Sequence, residues 1–158
     1  SLPLRRTDIG AGAKMQSFRR IVLETGIAGG LLFVIHASIP YVYSWPMIWP
    51  ALAGATAFWL ATRESQPHRL ATGLAAALAT GVIMGAIAFV GLSTVIYVVL
   101  HTDIFPAVRQ SGASRGLVAT SSIIAIAASF GAIDLIIAFL AGLVTLPVRY
   151  AQTRRAHA

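Results

Sequence analysis

The amino-acid sequence predicts an all-α, polytopic membrane protein, a bundle of four transmembrane helices. Apolar residues make up 57% of the 158 residues and charged residues only 11%, whereas a soluble domain carries about a quarter charged residues. A soluble chain of this length could not bury so much apolar surface in one core. The apolar residues are also grouped into long runs, and the basic residues are concentrated between and outside those runs. Together these patterns indicate an integral membrane protein.

Four apolar runs are long enough to cross the hydrocarbon core, which requires about 20 helical residues. They are residues 21–40, 41–62, 70–100 and 117–148. The third and fourth runs exceed this length, so we expect them to tilt or to extend beyond the bilayer. Pro46 and Pro50 are expected to kink the second span near one end, because proline removes a helical hydrogen bond.

The predicted domain organisation follows from these runs. A basic N-terminal segment covers residues 1–18, the transmembrane domain residues 19–150, and a basic tail residues 151–158. Of the 12 Lys and Arg residues, only Arg109 and Arg115 lie in the connection between the third and fourth spans. Because positive residues remain on the cytoplasmic side, both termini are predicted to be cytoplasmic, in a bacterial inner membrane.

The net charge of +7 arises from these basic ends, which are suited to contact anionic lipid. The lipid bilayer is therefore the predicted partner, and nucleic acid is not. The chain has no cysteine, which excludes disulfides, thiolate catalysis and iron–sulfur clusters. No metalloprotease, serine-hydrolase or phosphate-loop motif is present. Neither an enzyme nor a cofactor is predicted.

Asp134 is the only charged residue in the thirty-three residues from 116 to 148, and it falls near the predicted midplane. Insertion of a central Asp costs about 2.5–3.5 kcal/mol, so such residues face a bundle interior or a cavity. We expect Asp134 to face the interior or a subunit interface and never lipid. Three roles remain open: a hydrogen bond across helices, a proton or cation relay, and pairing with a basic group of another subunit. The predicted hydroxyl partners are Thr56, Thr80 and Ser129.

Glu24 lies one helical turn after Arg20. This spacing predicts an interfacial salt bridge, and the alternative is the cytoplasmic end of a proton path. His36 and His101 both approach the outer face, on helices that run outward. Two neutral imidazoles can ligate haem or a metal, although the two depths match poorly. An interfacial hydrogen-bonding pair, or a quinone or lipid-headgroup site, is the alternative.

Small residues are expected to form the helix contacts, because lipid is as apolar as leucine and association depends on close packing. The predicted packing glycines are Gly26, Gly30, Gly81, Gly85 and Gly131. Three functions are compatible with these features. The first is an accessory or structural subunit of a larger membrane complex. The second is an oligomeric proton-coupled transporter or channel with Asp134 as coupling group. The third is a haem- or quinone-binding anchor that uses His36 and His101. The protein partners would be other membrane subunits or further copies of the chain.

Overall fold

The computed structural model of the chain describes residues 7–39, 46–64, 69–101 and 117–155. Its described side chains are those of residues 15–39, 46–63, 70–98 and 124–152. The helices within these ranges are α1 (Thr7–Ala37), α2 (Ile48–Glu64), α3 (Arg69–His101) and α4 (Leu117–Arg155). No strand occurs in the same ranges. The predicted all-α class is confirmed for this part of the chain.

Three of the helices are long and apolar enough to cross a membrane, over Met15–Ala37, Leu70–Val98 and Ile124–Gln152. They belong to α1, α3 and α4, and they identify the chain as an integral membrane protein. The predicted second span is shorter than expected, because α2 has 17 residues and ends in Arg63 and Glu64. Among the described residues, three helices are therefore long and apolar enough to span a membrane.

The two prolines explain where α2 begins. Trp49 donates its backbone N–H to the carbonyl of Pro46 at 3.2 Å, which forms a turn before the helix. Pro50 lies in the first turn of α2, where its missing N–H removes no helical bond. The structure therefore places neither proline in the interior of α2, which begins at Ile48. Residues 41–45 of the predicted second span lie outside the described residues. Among the described prolines, Pro147 lies in the interior of a helix, in α4.

Helices α1 and α3 run in the same direction. Their facing pairs are Gly26 and Ile83, Gly30 and Ile87, and Val34 and Gly91. Residue numbers rise together along the two helices, so the pairs define a parallel contact. In each pair the absent glycine side chain leaves space that the larger residue occupies, which brings the two backbones close together.

Helix α4 runs antiparallel to α3 and parallel to α2. Along the α3 contact, Gly85 faces Gly131 and Gly81 faces Leu135. Along the α2 contact, the facing pairs are Gly54 with Ala138 and Thr62 with Arg149. The beginnings of α1 and α3 therefore share one end of the bundle with the ends of α2 and α4. We call this the basic end, because it carries Arg19, Arg20, Arg63 and Arg149.

Helices α2 and α3 form the centre of the bundle. They pack against each other, and α3 also packs along both α1 and α4. Phe33, Phe58 and Met84 are completely buried between the helices. The helical regions continue past the predicted domain limits, since α1 begins at Thr7 and α4 ends at Arg155.

Arg149 joins α4 to α2 at the basic end. Its guanidinium carbon lies 4.6 Å from the centre of the Trp59 ring, and its Nε donates to the Thr62 hydroxyl at 3.3 Å. That hydroxyl in turn donates to the carbonyl of Trp59 at 2.8 Å. Arg149 is thus a helix-to-helix contact rather than only a topogenic charge.

We expect Arg149→Leu to lower the free energy of unfolding by roughly 1–2 kcal/mol, because it removes the cation–π contact with Trp59 and the hydrogen bond to Thr62 that join α4 to α2. The matched control is Arg63→Leu, which removes the same charge from the exposed side of α2 and should cost less than about 0.5 kcal/mol. Thermal unfolding in mild detergent measures both variants. Equal losses would show that the charge matters and the contact does not.

Candidate functional site

Asp134 lies on the face of α4 that approaches α2 and α3 most closely. Gly131, three residues earlier, opposes Gly85, and a Cβ built on Gly85 would lie only 2.6 Å from the Gly131 carbonyl oxygen. Ala138, four residues later, places its backbone against Gly54. Because helical residues three and four apart share a face, Asp134 is directed between the two neighbouring helices. Its side chain is completely buried, in agreement with the expectation that it does not face lipid.

Neither carboxyl oxygen of Asp134 has a hydrogen-bond partner among the described residues. The predicted hydroxyl partners are placed elsewhere. The Thr80 hydroxyl is 3.1 Å from that of Thr25, Ser129 donates to the Ala125 carbonyl at 2.8 Å, and Thr56 is exposed. A structural hydrogen bond from Asp134 to any of these three hydroxyls is therefore not formed.

Pairing of Asp134 with a basic group of another subunit is also disfavoured by the geometry. The carboxyl is enclosed by helices of its own chain, so a second subunit would have to separate them to reach it. Within the chain, Arg149 lies fifteen residues along α4, which is about 22 Å at 1.5 Å per residue. The described charged groups at the basic end do not reach the acid.

A buried carboxyl group in these surroundings can exchange a proton but is poorly suited to hold a metal ion. Metal ions require several ligands, usually four for zinc and six or more for calcium. Within the described ranges, no group of three or more His, Asp or Glu side chains could hold a metal ion. Carriage of a proton requires a single titratable group, which Asp134 provides.

Glu24 forms the salt bridge that its spacing predicts. Arg20 Nε lies 2.7 Å from Glu24 Oε1, and both side chains are largely exposed. An exposed pair of this kind contributes about 0–1 kcal/mol. The structure places Glu24 on the outside of α1 and does not bring it together with Asp134.

His36 contacts Trp49, a residue that the sequence analysis did not select. The Trp49 indole N–H donates to His36 Nδ1 at 2.9 Å, and the two rings meet edge to face with centres 6.3 Å apart. Since Nδ1 accepts this bond, the imidazole is neutral and carries its proton on Nε2. The only sequence signal for Trp49 was its amphipathic ring at the start of a span, where such residues are common.

The structure does not bring His36 and His101 together. Val34 faces Gly91 across the parallel contact of α1 and α3, so His36 lies near the level of Ser93. His101 is eight residues further along α3, about two turns or roughly 12 Å. The His101 side chain is not among those that the structure describes. This separation does not favour one haem or metal ion bound by both residues.

A cavity of about 640 Å³ adjoins the His36–Trp49 pair. Its lining residues are His36, Met47, Ile48, Trp49, Ala51, Leu52 and Ile137. We call it the His36 groove. Ile137 belongs to α4 and follows Asp134 by three residues, so the groove and the buried acid are close along the same helix. Apart from the imidazole and the indole, the described lining side chains are all apolar.

The five predicted packing glycines all lie at helix contacts. Gly26 and Gly30 face side chains of α3, Gly81 faces the backbone of Leu135, and Gly85 and Gly131 face each other. Glycines outside this set have the same role. Gly29 packs against Ala53 and Met84, and Gly73 packs against Phe58 and Thr62. The contacts of Gly81, Gly85 and Gly131 position α4, and therefore Asp134, against α3.

Geometry and composition thus define an integral membrane protein with a buried acid that has no hydrogen-bond partner among the described residues, and with an adjacent apolar groove. Comparison with known proteins adds no family to this description. No protein-family model matches the chain, no curated protein matches it, and no solved structure matches it.

Proposed function

We propose that the protein is a small proton-coupled membrane transporter or channel in which Asp134 takes up and releases the coupling proton. The observation that supports this most strongly is the complete burial of Asp134 without a hydrogen-bond partner among the described residues. A central acid costs about 2.5–3.5 kcal/mol to insert, and no described contact offsets that cost. A residue that destabilises the fold in this way is better explained by function.

The helices around Asp134 support a proton as the coupled ion. On α2 the described charged side chain is Arg63, which lies at the basic end, and on α3 the described titratable side chain is Tyr97, near the opposite end. Neither is at the level of Asp134. No described basic group therefore holds the acid permanently in its charged form.

Hydroxyl groups extend the polar interior beyond Asp134. Thr80 is completely buried and its hydroxyl lies 3.1 Å from that of Thr25, on the side nearer the basic end. Toward the opposite end, the buried hydroxyl of Ser93 has no partner among the described residues. Such groups can hold internal water, and water can carry a proton between the acid and either end.

Four crossings with both termini in the cytoplasm complete the proposal. A helix of 17 residues is about 26 Å long, close to the 30 Å hydrocarbon thickness. Helix α2 also runs antiparallel to α1, because Gly29 contacts Ala53 while His36, later in α1, contacts Trp49, earlier in α2. Since α1 and α3 are parallel, α2 is antiparallel to α3 as well. Ten of the 12 Lys and Arg residues lie outside the connection between the third and fourth spans, and Arg109 and Arg115 lie within it. This distribution indicates the orientation.

Single-cysteine labelling tests this topology, because the chain has no cysteine of its own. Gln110→Cys should react with an impermeant maleimide added to intact cells, since it lies in the predicted external connection. Gln66→Cys should react only after the cells are opened. Reaction of Gln66→Cys but not Gln110→Cys in intact cells would contradict the proposed orientation.

Proton flux in liposomes tests the proposed activity. Liposomes that contain the reconstituted protein are loaded with a pH dye, and a potassium diffusion potential drives protons inward. The flux is recorded alone, as for a channel, and with a panel of neutral and cationic solutes, as for a coupled transporter. We expect flux above that of empty liposomes in at least one condition. A folded, correctly inserted protein that moves protons in none of them would refute the proposal.

Helix α4 supports a second candidate function, an accessory subunit of a membrane complex or of a homo-oligomer. Of the three long helices, α4 has the smallest share of its most apolar segment buried inside the bundle. Its exposed apolar side chains include Ile133, Ile136, Leu140 and Val144. Lipid or another subunit can cover this face. Crosslinking in native membranes, followed by size analysis in mild detergent, shows whether lipid or another subunit covers this face. A strictly monomeric species would exclude the subunit function.

A further inference from the structure

We propose that the His36 groove binds a neutral small molecule that has an apolar body and a single polar group. The inference does not depend on proton transfer by Asp134, because it concerns a different set of side chains. Its volume of about 640 Å³ falls within the range of roughly 300–1,000 Å³ that is typical of small-molecule sites. The groove is therefore large enough for a complete ligand rather than a few water molecules.

The described lining selects against charge. None of the lining residues that the structure describes is Lys, Arg, Asp or Glu, and His36 is neutral because its Nδ1 accepts the Trp49 N–H. An ion that entered the groove would lose hydration without gaining a counter-charge, which is strongly unfavourable in an apolar environment. A neutral ligand does not meet this penalty.

The polar part of the lining is concentrated at one position. His36 and Trp49 are held by a hydrogen bond of 2.9 Å and by their edge-to-face contact, so the two rings have a fixed orientation. The remaining side chains include the flexible thioether of Met47, which adapts to irregular apolar shapes. This arrangement would orient a ligand with its polar group at the rings and its apolar body along α2.

The entrance of the groove lies on the exposed apolar surface of α2. Ile48 and Leu52, which are both lining residues, are about half exposed and face away from the other helices. In a membrane this side contacts lipid, so a ligand can enter from the bilayer. Entry by this route favours molecules that already partition into lipid, in agreement with the neutral lining.

Equilibrium binding of the neutral fluorescent probe N-phenyl-1-naphthylamine to the purified full chain in nanodiscs tests the site. We expect saturable binding above that of empty nanodiscs. Ala51→Phe places a ring in the groove and should weaken binding about tenfold or more. Ala86→Phe makes the same change on an exposed position of α3, which does not line the groove, and should leave binding unchanged.

A second filling variant and two competitors make the result independent of any one substitution. Ile137→Phe fills the groove from α4 and should weaken binding as Ala51→Phe does, with folding checked by circular dichroism and size exclusion. The lipophilic cation tetraphenylphosphonium and the anion anilinonaphthalene sulfonate should not displace the probe. Non-saturable binding, or equal affinity in the wild type and both filling variants, would overturn the site. Displacement by either ion would overturn its selectivity for neutral ligands.

Discussion

Asp134→Asn is expected to abolish proton-coupled flux while the protein still folds and inserts into the membrane. The amide matches the carboxyl in size, so the close contacts of α4 with α2 and α3 through Gly131 and Ala138 are retained. It cannot take up or release the coupling proton, so flux should fall to the level of empty liposomes. Flux is measured with an internal pH dye, and the amount of inserted protein is matched between samples. Full flux in the Asn variant would exclude Asp134 as the coupling group.

An apolar residue at the same position separates function from stability. The sequence alone suggests that Asp134→Leu is worse than Asn, because Leu would leave a polar partner unpaired. The structure shows no such partner among the described residues, so this reason no longer holds, although Leu would still be too large for the crossing. Asp134→Val is closer in size and removes an insertion cost of about 2.5–3.5 kcal/mol. We expect it to abolish flux and to preserve or raise thermal stability. Strong destabilisation would instead reveal a polar partner of Asp134.

Gly54→Ala is expected to cause the largest loss of stability. The added Cβ would overlap the carbonyl oxygen of Ala138 and lie 2.6 Å from both its carbonyl carbon and its Cα. Backbone atoms of a packed helix cannot move aside locally, so α2 and α4 must separate along their whole contact. Overpacking of this kind costs about 1–3 kcal/mol or more, whereas Gly to Ala in an unobstructed helix gains up to about 1 kcal/mol.

Thermal unfolding and size exclusion in mild detergent measure the effect of Gly54→Ala. The matched control is Thr56→Ala, which also places alanine in α2 but on its exposed side, and it should be nearly neutral. Because Ala138 is one turn from Asp134, separation of α2 from α4 should also reduce proton flux. A Gly54→Ala protein as stable as the control would contradict the close crossing.

The sequence predicts the class of the protein and the three long apolar helices well, because length and apolar composition act locally. It fails at the start of α2. The predicted apolar run begins at Tyr41. In the structure the carbonyl of Pro46 accepts a turn hydrogen bond, and α2 begins at Ile48. An apolar run shows that a segment is compatible with lipid, whereas the hydrogen bonds around a proline determine where the helix begins.

The candidate site is only partly predictable. Asp134 is conspicuous because a carboxyl in a long apolar run is costly wherever it points. Its environment depends on which faces meet. Thr80 is paired with Thr25 because α1 and α3 are parallel neighbours, and His36 is paired with Trp49 because α1 and α2 are antiparallel. Helix adjacency and register are properties of the assembled bundle, and composition does not encode them in a single sequence.

The glycines bear on the choice between the proposed functions. Gly26, Gly30, Gly85 and Gly131 are used for contacts inside one chain, so they do not constitute surplus surface for partner subunits. Asp134 is buried beside the contact between Gly85 and Gly131. Both features favour a site that functions within a single bundle, while the exposed side of α4 remains available for lipid or for a further copy.

Infrared difference spectroscopy of the reconstituted protein tests most directly whether Asp134 exchanges a proton. Spectra are recorded across a pH titration, in water and in deuterium oxide, for the wild type and for Asp134→Asn. The chain has only five Asp and Glu residues, so one carboxyl can be resolved by subtraction. We predict a carboxylic-acid carbonyl band that changes with pH, shifts in deuterium oxide and is missing from the Asn variant. Identical difference spectra for the two proteins would contradict a proton-exchanging Asp134.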